Sequence, residues 1–189
     1  MIHSSRSHSL TDPWGKALRA SGAVALTMAI LALIALAPAS AASRTERTFG
    51  KWVVVCIEPD NEAKRCSMTQ SLVRTNRQTN RRRLVLRWRI SIDKERGQTQ
   101  ALIVPTGVSV KEGVRLLLGD AEPIVIGYNI CGRRVCVASA PLDAKVVAAV
   151  KASEKASASY VRGSKQLAQV QFDLNGFGQA YDFLVKQFS

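Results

Sequence analysis

The chain has 189 residues with 27 Lys+Arg against 14 Asp+Glu, a formal charge of +13, and only two histidines. Both, His3 and His8, lie near the start, so Ser-His-Asp triads, Cys-His pairs and histidine metal sites have no material in the rest of the chain. Such a positive charge raises nucleic acid as a partner, but aromatics make up only 6% of the residues, too few to interleave stacking rings with basic groups as single-strand readers do, and no nucleic acid is expected.

Residues 1–19 carry Arg6, Lys16 and Arg19 against the single acid Asp12, and residues 20–37 are almost wholly apolar. Pro38 then breaks the run before Ala39-Ser40-Ala41-Ala42. A basic segment, an apolar core, a helix breaker and a small-residue site follow one another as in a secretory signal peptide, ending at Ala41 or Ala42. The rival reading is an uncleaved anchor, since the apolar run approaches the roughly 18 residues of a span; its alanines and small-x-small sites favour cleavage. The expectation is a signal peptide at residues 1–42, one domain at residues 43–189, and no integral span after cleavage. Removing residues 1–42 takes three of the 27 Lys+Arg and one of the 14 Asp+Glu, leaving 24 against 13 and a net charge of +11. A domain of this length buries about two thirds of its unfolded surface in a single core.

The cysteines are Cys56, Cys66, Cys131 and Cys136. An even number in an exported chain reads as two disulfides, for which three pairings exist. Local pairing, Cys56 with Cys66 and Cys131 with Cys136, is favoured because short loops close fastest, and each bridge then contributes on the order of 2–3 kcal/mol in the loop-entropy account. Neither spacing is Cys-x-x-Cys, so redox chemistry and zinc are not expected. No metal or cofactor is assigned.

Residues 48–56 are rich in β-branched and aromatic side chains and read as one strand, followed by a solvated turn through Glu58, Pro59, Asp60 and Glu62. A second strand is expected over 67–73 and a polar connection over 75–80. From Arg81 to Ile92 runs the clearest alternation in the chain: Leu84, Leu86, Trp88, Ile90 and Ile92 at even positions, Arg81, Arg83, Arg87 and Arg89 at odd ones. Period two places these arginines on one outward face of a strand. Short strands over 100–104, 107–110, 114–118, 123–128 and 136–140, separated by Gly and Pro signals, predict an all-β antiparallel sandwich. Cys131 and Cys136 flank a hairpin whose tip presents Arg133 and Arg134. Residues 144–158 are Ala-, Lys- and Val-rich and read as an amphipathic helix, 168–174 as a late strand, and Phe177, Tyr181, Leu184 and Phe188 as one face of a closing helix. The fold class expected is a β-sandwich with one or two peripheral helices toward the C-terminus.

A set of motifs now stands in order along the chain: Gly50-Lys51-Trp52 leading to Cys56; Cys66 with Met68 and Gln70; Val104-Pro105-Thr106-Gly107-Val108; Cys131 and Cys136; and Leu174-Asn175-Gly176-Phe177 with Ala180. This order resembles the invasion-associated locus B family of exported bacterial proteins across essentially all of residues 43–189. The resemblance implies a β-sandwich of alphaproteobacterial origin, periplasmic or surface-associated, with a role in host-cell invasion for pathogenic members. It supplies no catalytic residues. Val135 stands where family members often have Gly, and the arginine stripe is particular to this chain.

The function expected is that of an exported, non-enzymatic binding or adhesion module. Its basic face, formed by Arg81, Arg83, Arg87, Arg89, Arg133 and Arg134, would meet an anionic surface or acidic protein such as lipopolysaccharide, glycosaminoglycan or a host-cell component. The alternative is a carboxylate-based hydrolase of envelope glycans, which requires two facing acids.

Overall fold

The computed structural model describes residues 43–60, 62–93, 95, 97–163 and 165–188; the expected signal peptide lies outside the described residues. Among the described residues, eleven strands form two antiparallel sheets. The larger contains β1 (Ser43–Phe49), β2 (Trp52–Glu58), β3 (Arg65–Thr75), β4 (Arg82–Asp93), β5 (Gly97–Pro105), β8 (Tyr128–Cys131) and β9 (Val135–Pro141), in the order β1-β2-β3-β4-β5-β9-β8. The smaller contains β6 (Val114–Leu118), β7 (Ile124–Ile126), β10 (Ala156–Val161) and β11 (Leu167–Phe172), in the order β11-β10-β6-β7. Helices α1 (Ala144–Ala152) and α2 (Phe177–Lys186) complete the sandwich. Among the described residues no helix is long and apolar enough to cross a membrane.

The period-two pattern explains the core. Trp52, Val54 and Cys56 of β2, Cys66, Met68 and Gln70 of β3, and Leu86, Trp88, Ile90 and Ile92 of β4 are buried, whereas Arg87 and Arg89 between them are exposed. Val114, Leu116 and Leu118 of β6 with Ala156, Ala158 and Tyr160 of β10 supply the facing layer. Trp52 and Trp88 meet edge-on at 5.6 Å, and Phe177 lies 5.1 Å from Trp52, which seats α2 on the core.

Four expected elements change. Residues 48–56 are not one strand: Phe49 pairs with Trp52 across a two-residue turn, Gly50-Lys51, with Gly50 at φ +59°. A glycine at the first position of a two-residue hairpin supplies the left-handed backbone such turns demand. Residues 107–110 give only an isolated bridge, Val108 to Arg162, before a 3-10 turn at Val110–Glu112; Gly107 at φ +85° interrupts the extended chain. Residues 123–128 divide at Gly127, with β7 pairing β6 in one sheet and β8 pairing β9 in the other. The helix expected over 144–158 stops at Ala152, and Ala156–Val161 becomes a central strand. Alanine's helix propensity suggested continuation, but Ala156, Ala158 and Tyr160 alternate with Ser157, Ser159 and Val161, and pairing to both β6 and β11 decides the conformation.

Both disulfides form with the local pairing, Cys56–Cys66 and Cys131–Cys136, each joining residues directly opposite on neighbouring strands.

Candidate functional site

Two groups of motif residues come together for structural reasons. Gln70 is buried, and its side-chain amide pairs with the backbone of Asp173 in both directions, donating Nε2 to the carbonyl at 2.6 Å and accepting the N–H at 2.9 Å. Trp52 Nε1 donates to the same carbonyl at 3.0 Å. The Gly50 turn lies against the Asn175-Gly176 turn so closely that a Cβ on either glycine would strike the other segment's carbonyl. These contacts fasten the chain ahead of α2 to the first hairpin. They satisfy backbone groups that would otherwise be buried unpaired.

At one end of the sandwich the two sheets part around a cleft of about 1060 Å³. Arg74, Arg82, Arg83, Arg134 and Arg162 line it, and none of its lining residues is acidic. Ion pairs in the described residues go elsewhere, joining Arg44 to Glu46, Arg65 to Glu62 and Lys151 to Asp182. A β-bulge builds this arrangement. Leu72 faces Leu86 but Val73 faces Leu84, so Val85 has no partner on β3 and the alternation of β4 changes phase. Arg83 is thereby brought opposite Arg74, and Arg82 opposite Thr75. The Val85 carbonyl accepts the Tyr160 hydroxyl at 3.0 Å, which ties β10 to β4 beneath the cleft.

The expected single face of Arg81, Arg83, Arg87 and Arg89 is therefore divided. Arg87 and Arg89 stay on the outer face of the large sheet, where Arg87 Nε donates to Ser71 at 2.8 Å. Arg89 borders a separate groove of about 550 Å³ with Ser91, Asp93 and Ser139. Arg81 lies in the connection before β4, its carbonyl accepting the Asn76 N–H at 2.9 Å. Arg133 and Arg134 are exposed at the β8–β9 turn as expected, and Arg134 reaches the cleft. Its carbonyl accepts the Thr106 N–H at 3.3 Å, so the Val104–Val108 motif and the Cys131–Cys136 clip together set the cleft's rim. Arg74, Arg82 and Arg162 were not among the expected site residues. The available signal was Val85, an apolar residue at an odd position inside an otherwise alternating strand.

Burial pushes the Tyr160 hydroxyl above its ordinary value, although the nearby Arg162 and Arg74 guanidinium groups pull it down. It remains a protonated donor to Val85. Tyr128 is pushed up to about 12 by burial, with Tyr160 adding in the same direction. Its hydroxyl is buried without a hydrogen-bond partner among the described residues. The folded state thus holds the Tyr128 proton more tightly than the unfolded chain, whose value is 10.0. The associated stability is complete below pH 10 and is lost as pH rises through about 12. Tyr128→Phe should leave the unfolding free energy at pH 7, read from urea denaturation, unchanged or raise it by up to roughly 1 kcal/mol, because no partner is lost. It should also flatten the fall in that free energy between pH 10 and 12; denaturation series at both pH values check this.

Among the described residues, three clefts show no pair of facing carboxylates: the outer groove has Asp93 as its one acid, a pocket of about 350 Å³ between α1 and α2 has Asp182, and the arginine cleft has none. Among the described residues no three acidic or cysteine side chains gather as a metal site would require.

A family model, the invasion associated locus B (IalB) protein, matches residues 52–185. The chain belongs to this family. It is 28% identical over 143 residues to an invasion protein B homolog of Brucella abortus strain 2308, across 75% of this chain and 79% of that protein. A homolog from Brucella abortus biovar 1 strain 9-941 matches with the same identity and coverage. The crystal structure of invasion associated protein B from Bartonella henselae matches with a TM-score of 0.63 at 25% identity, over 76% of this chain and 96% of that one. In this IalB-family chain the matched span, residues 52–185, contains the Gln70 bridge and the two disulfide clips, which hold the sandwich together.

Proposed function

We propose that this protein is an exported, non-enzymatic binding or adhesion module of the cell envelope or of host-cell invasion, whose basic surface holds an anionic partner. Residues 1–42 act as its signal peptide, residues 43–189 form the mature domain, and it works in the periplasm or at the outer surface. The observation that carries this reading is the convergence of Arg74, Arg82, Arg83, Arg134 and Arg162 on one cleft without a lining carboxylate. Like charges gathered in this way repel one another, and an incoming anion relieves that repulsion while accepting charge-assisted hydrogen bonds. Arg81 and Arg133 extend the field around the cleft, and Arg87 and Arg89 along the adjoining sheet. Lipopolysaccharide, a glycosaminoglycan or an acidic protein offers the matching charge. The two local disulfides suit an oxidising compartment.

The test is retention on heparin and affinity for lipopolysaccharide across a salt series. Substituting Arg74, Arg83 and Arg134 together by Gln should weaken binding at least tenfold, since a hydrogen bond to a charged group is worth about 1.5–3 kcal/mol. The outer pair Arg87→Gln and Arg89→Gln should have a smaller effect. Binding that is insensitive to salt, or unchanged by both sets of substitutions, would sink the proposal.

A further inference from the structure

The arginine cleft is not lined by charge alone. Leu84, Val85, Pro105, Val135, Ala168 and Val170 form much of its wall. All six are of intermediate burial, neither sealed in the core nor fully solvated. Their position explains this. Ala168 and Val170 pair with Tyr160 and Ala158, so they stand on the core-facing side of β11, which is the edge of its sheet among the described residues. On the opposite wall, the bulge at Val85 shifts the register of β4 against β3 and leaves Val85 without a partner there. The apolar interior therefore opens onto a mouth ringed by guanidinium groups. Leu167 at that mouth is 62% exposed.

A hydrophilic polyanion would be matched by the guanidinium groups alone and would leave this apolar strip in water. A group that carries both an anionic head and an aliphatic tail satisfies both halves, because arginine forks bind phosphate bidentately while the tail covers apolar surface. Resting on the reading that the cleft meets an anion, we infer that its ligand is a phosphate-bearing acylated lipid, with the phosphate held by Arg74, Arg83, Arg134 and Arg162 and one acyl chain entering between the sheets against Val85, Ala168 and Val170. The cleft volume of about 1060 Å³ is of the size that small-ligand sites use.

Isothermal titration of the full chain, expressed for export, tests this with three monomeric probes: dihexanoyl phosphatidic acid, dihexanoyl phosphatidylcholine and glycerol 3-phosphate. The expected result is saturable binding of the phosphatidic acid, at least tenfold tighter than either of the others. Arg74→Gln with Arg134→Gln should weaken it at least tenfold at an unchanged melting temperature, and Arg83→Gln with Arg162→Gln provides a second variant pair should the first fold poorly. Arg87→Gln with Arg89→Gln, outside the cleft, should weaken it by no more than about twofold. Equal affinity for glycerol 3-phosphate overturns the lipid assignment in favour of a plain phosphate site. Retained, cleft-dependent heparin binding with no phosphatidic acid binding overturns the lipid inference and leaves the basic-module reading standing. Loss of both removes both.

Discussion

Alanine at Gly176 is expected to lower the stability of the domain by roughly 2–5 kcal/mol, from about 1–2 kcal/mol for a left-handed residue with a Cβ and about 1–3 kcal/mol for overpacking. Gly176 sits at φ +85°, and a Cβ there would run into the Phe49 carbonyl group and the Gly50 nitrogen. The neighbour is backbone on both sides, so no flexible side chain can give way. Moving the Gly50 turn aside would also strain the Trp52–Asp173 hydrogen bond at 3.0 Å and the Trp52–Phe177 contact at 5.1 Å. For a domain of this size the change corresponds to a melting temperature lower by about 4–20 °C. Gly97→Ala is the matched control: its φ is +67°, but no atom lies within 4 Å of the added Cβ, so only the backbone cost of about 1–2 kcal/mol should appear. Thermal melts of the two variants separate close approach from conformation, and equal losses would show that the contact between the two turns contributes nothing.

Removing the Cys56–Cys66 bridge should cost about 3–5 kcal/mol, near the upper part of the range for small exported domains. Both sulfur-bearing residues are 3% exposed and belong to the central core, so replacing them with alanine loses packing as well as the loop constraint. The Cys131–Cys136 bridge closes a shorter loop, with a sequence separation of 5 against 10, and Cys131 is exposed. Its removal should cost about 2 kcal/mol, and mild reductant should open it first. Denaturant midpoints of the two double-alanine variants, with mass mapping of alkylated thiols during reduction, check both statements. If the second bridge proved the costlier, the division into a core clip and a rim clip would be mistaken.

Much of the core was legible because burial in a sheet follows period two. Trp88, Ile90 and Ile92 face inward and Arg87 and Arg89 outward, as their alternation requires. Helix α2 was legible from Phe177, Tyr181 and Leu184 on one face, of which Phe177 and Leu184 are fully buried. The motif order carried the family resemblance, and local disulfide pairing followed from loop length. Propensity misled at Ala156 and Ala158, since a strand between two partners tolerates residues that would favour a helix in isolation.

The candidate cleft was legible only in part. Arg83 and Arg134 stood out in the sequence, but Arg74 and Arg162 are single basic residues at the ends of unrelated strands, and nothing local links them. The chain by itself determined the charge, the lack of histidine beyond His8, the cysteine pairs and the alternation that builds two sheets. Tertiary structure decided which arginines meet. A single unpartnered residue, Val85, changes the phase of β4, because one extra residue in a two-residue period carries every preceding side chain to the other face. Where that phase change falls is set by the pairing of β4 with β3 and by the Tyr160 hydroxyl on the Val85 carbonyl, and those are contacts between segments far apart in the chain.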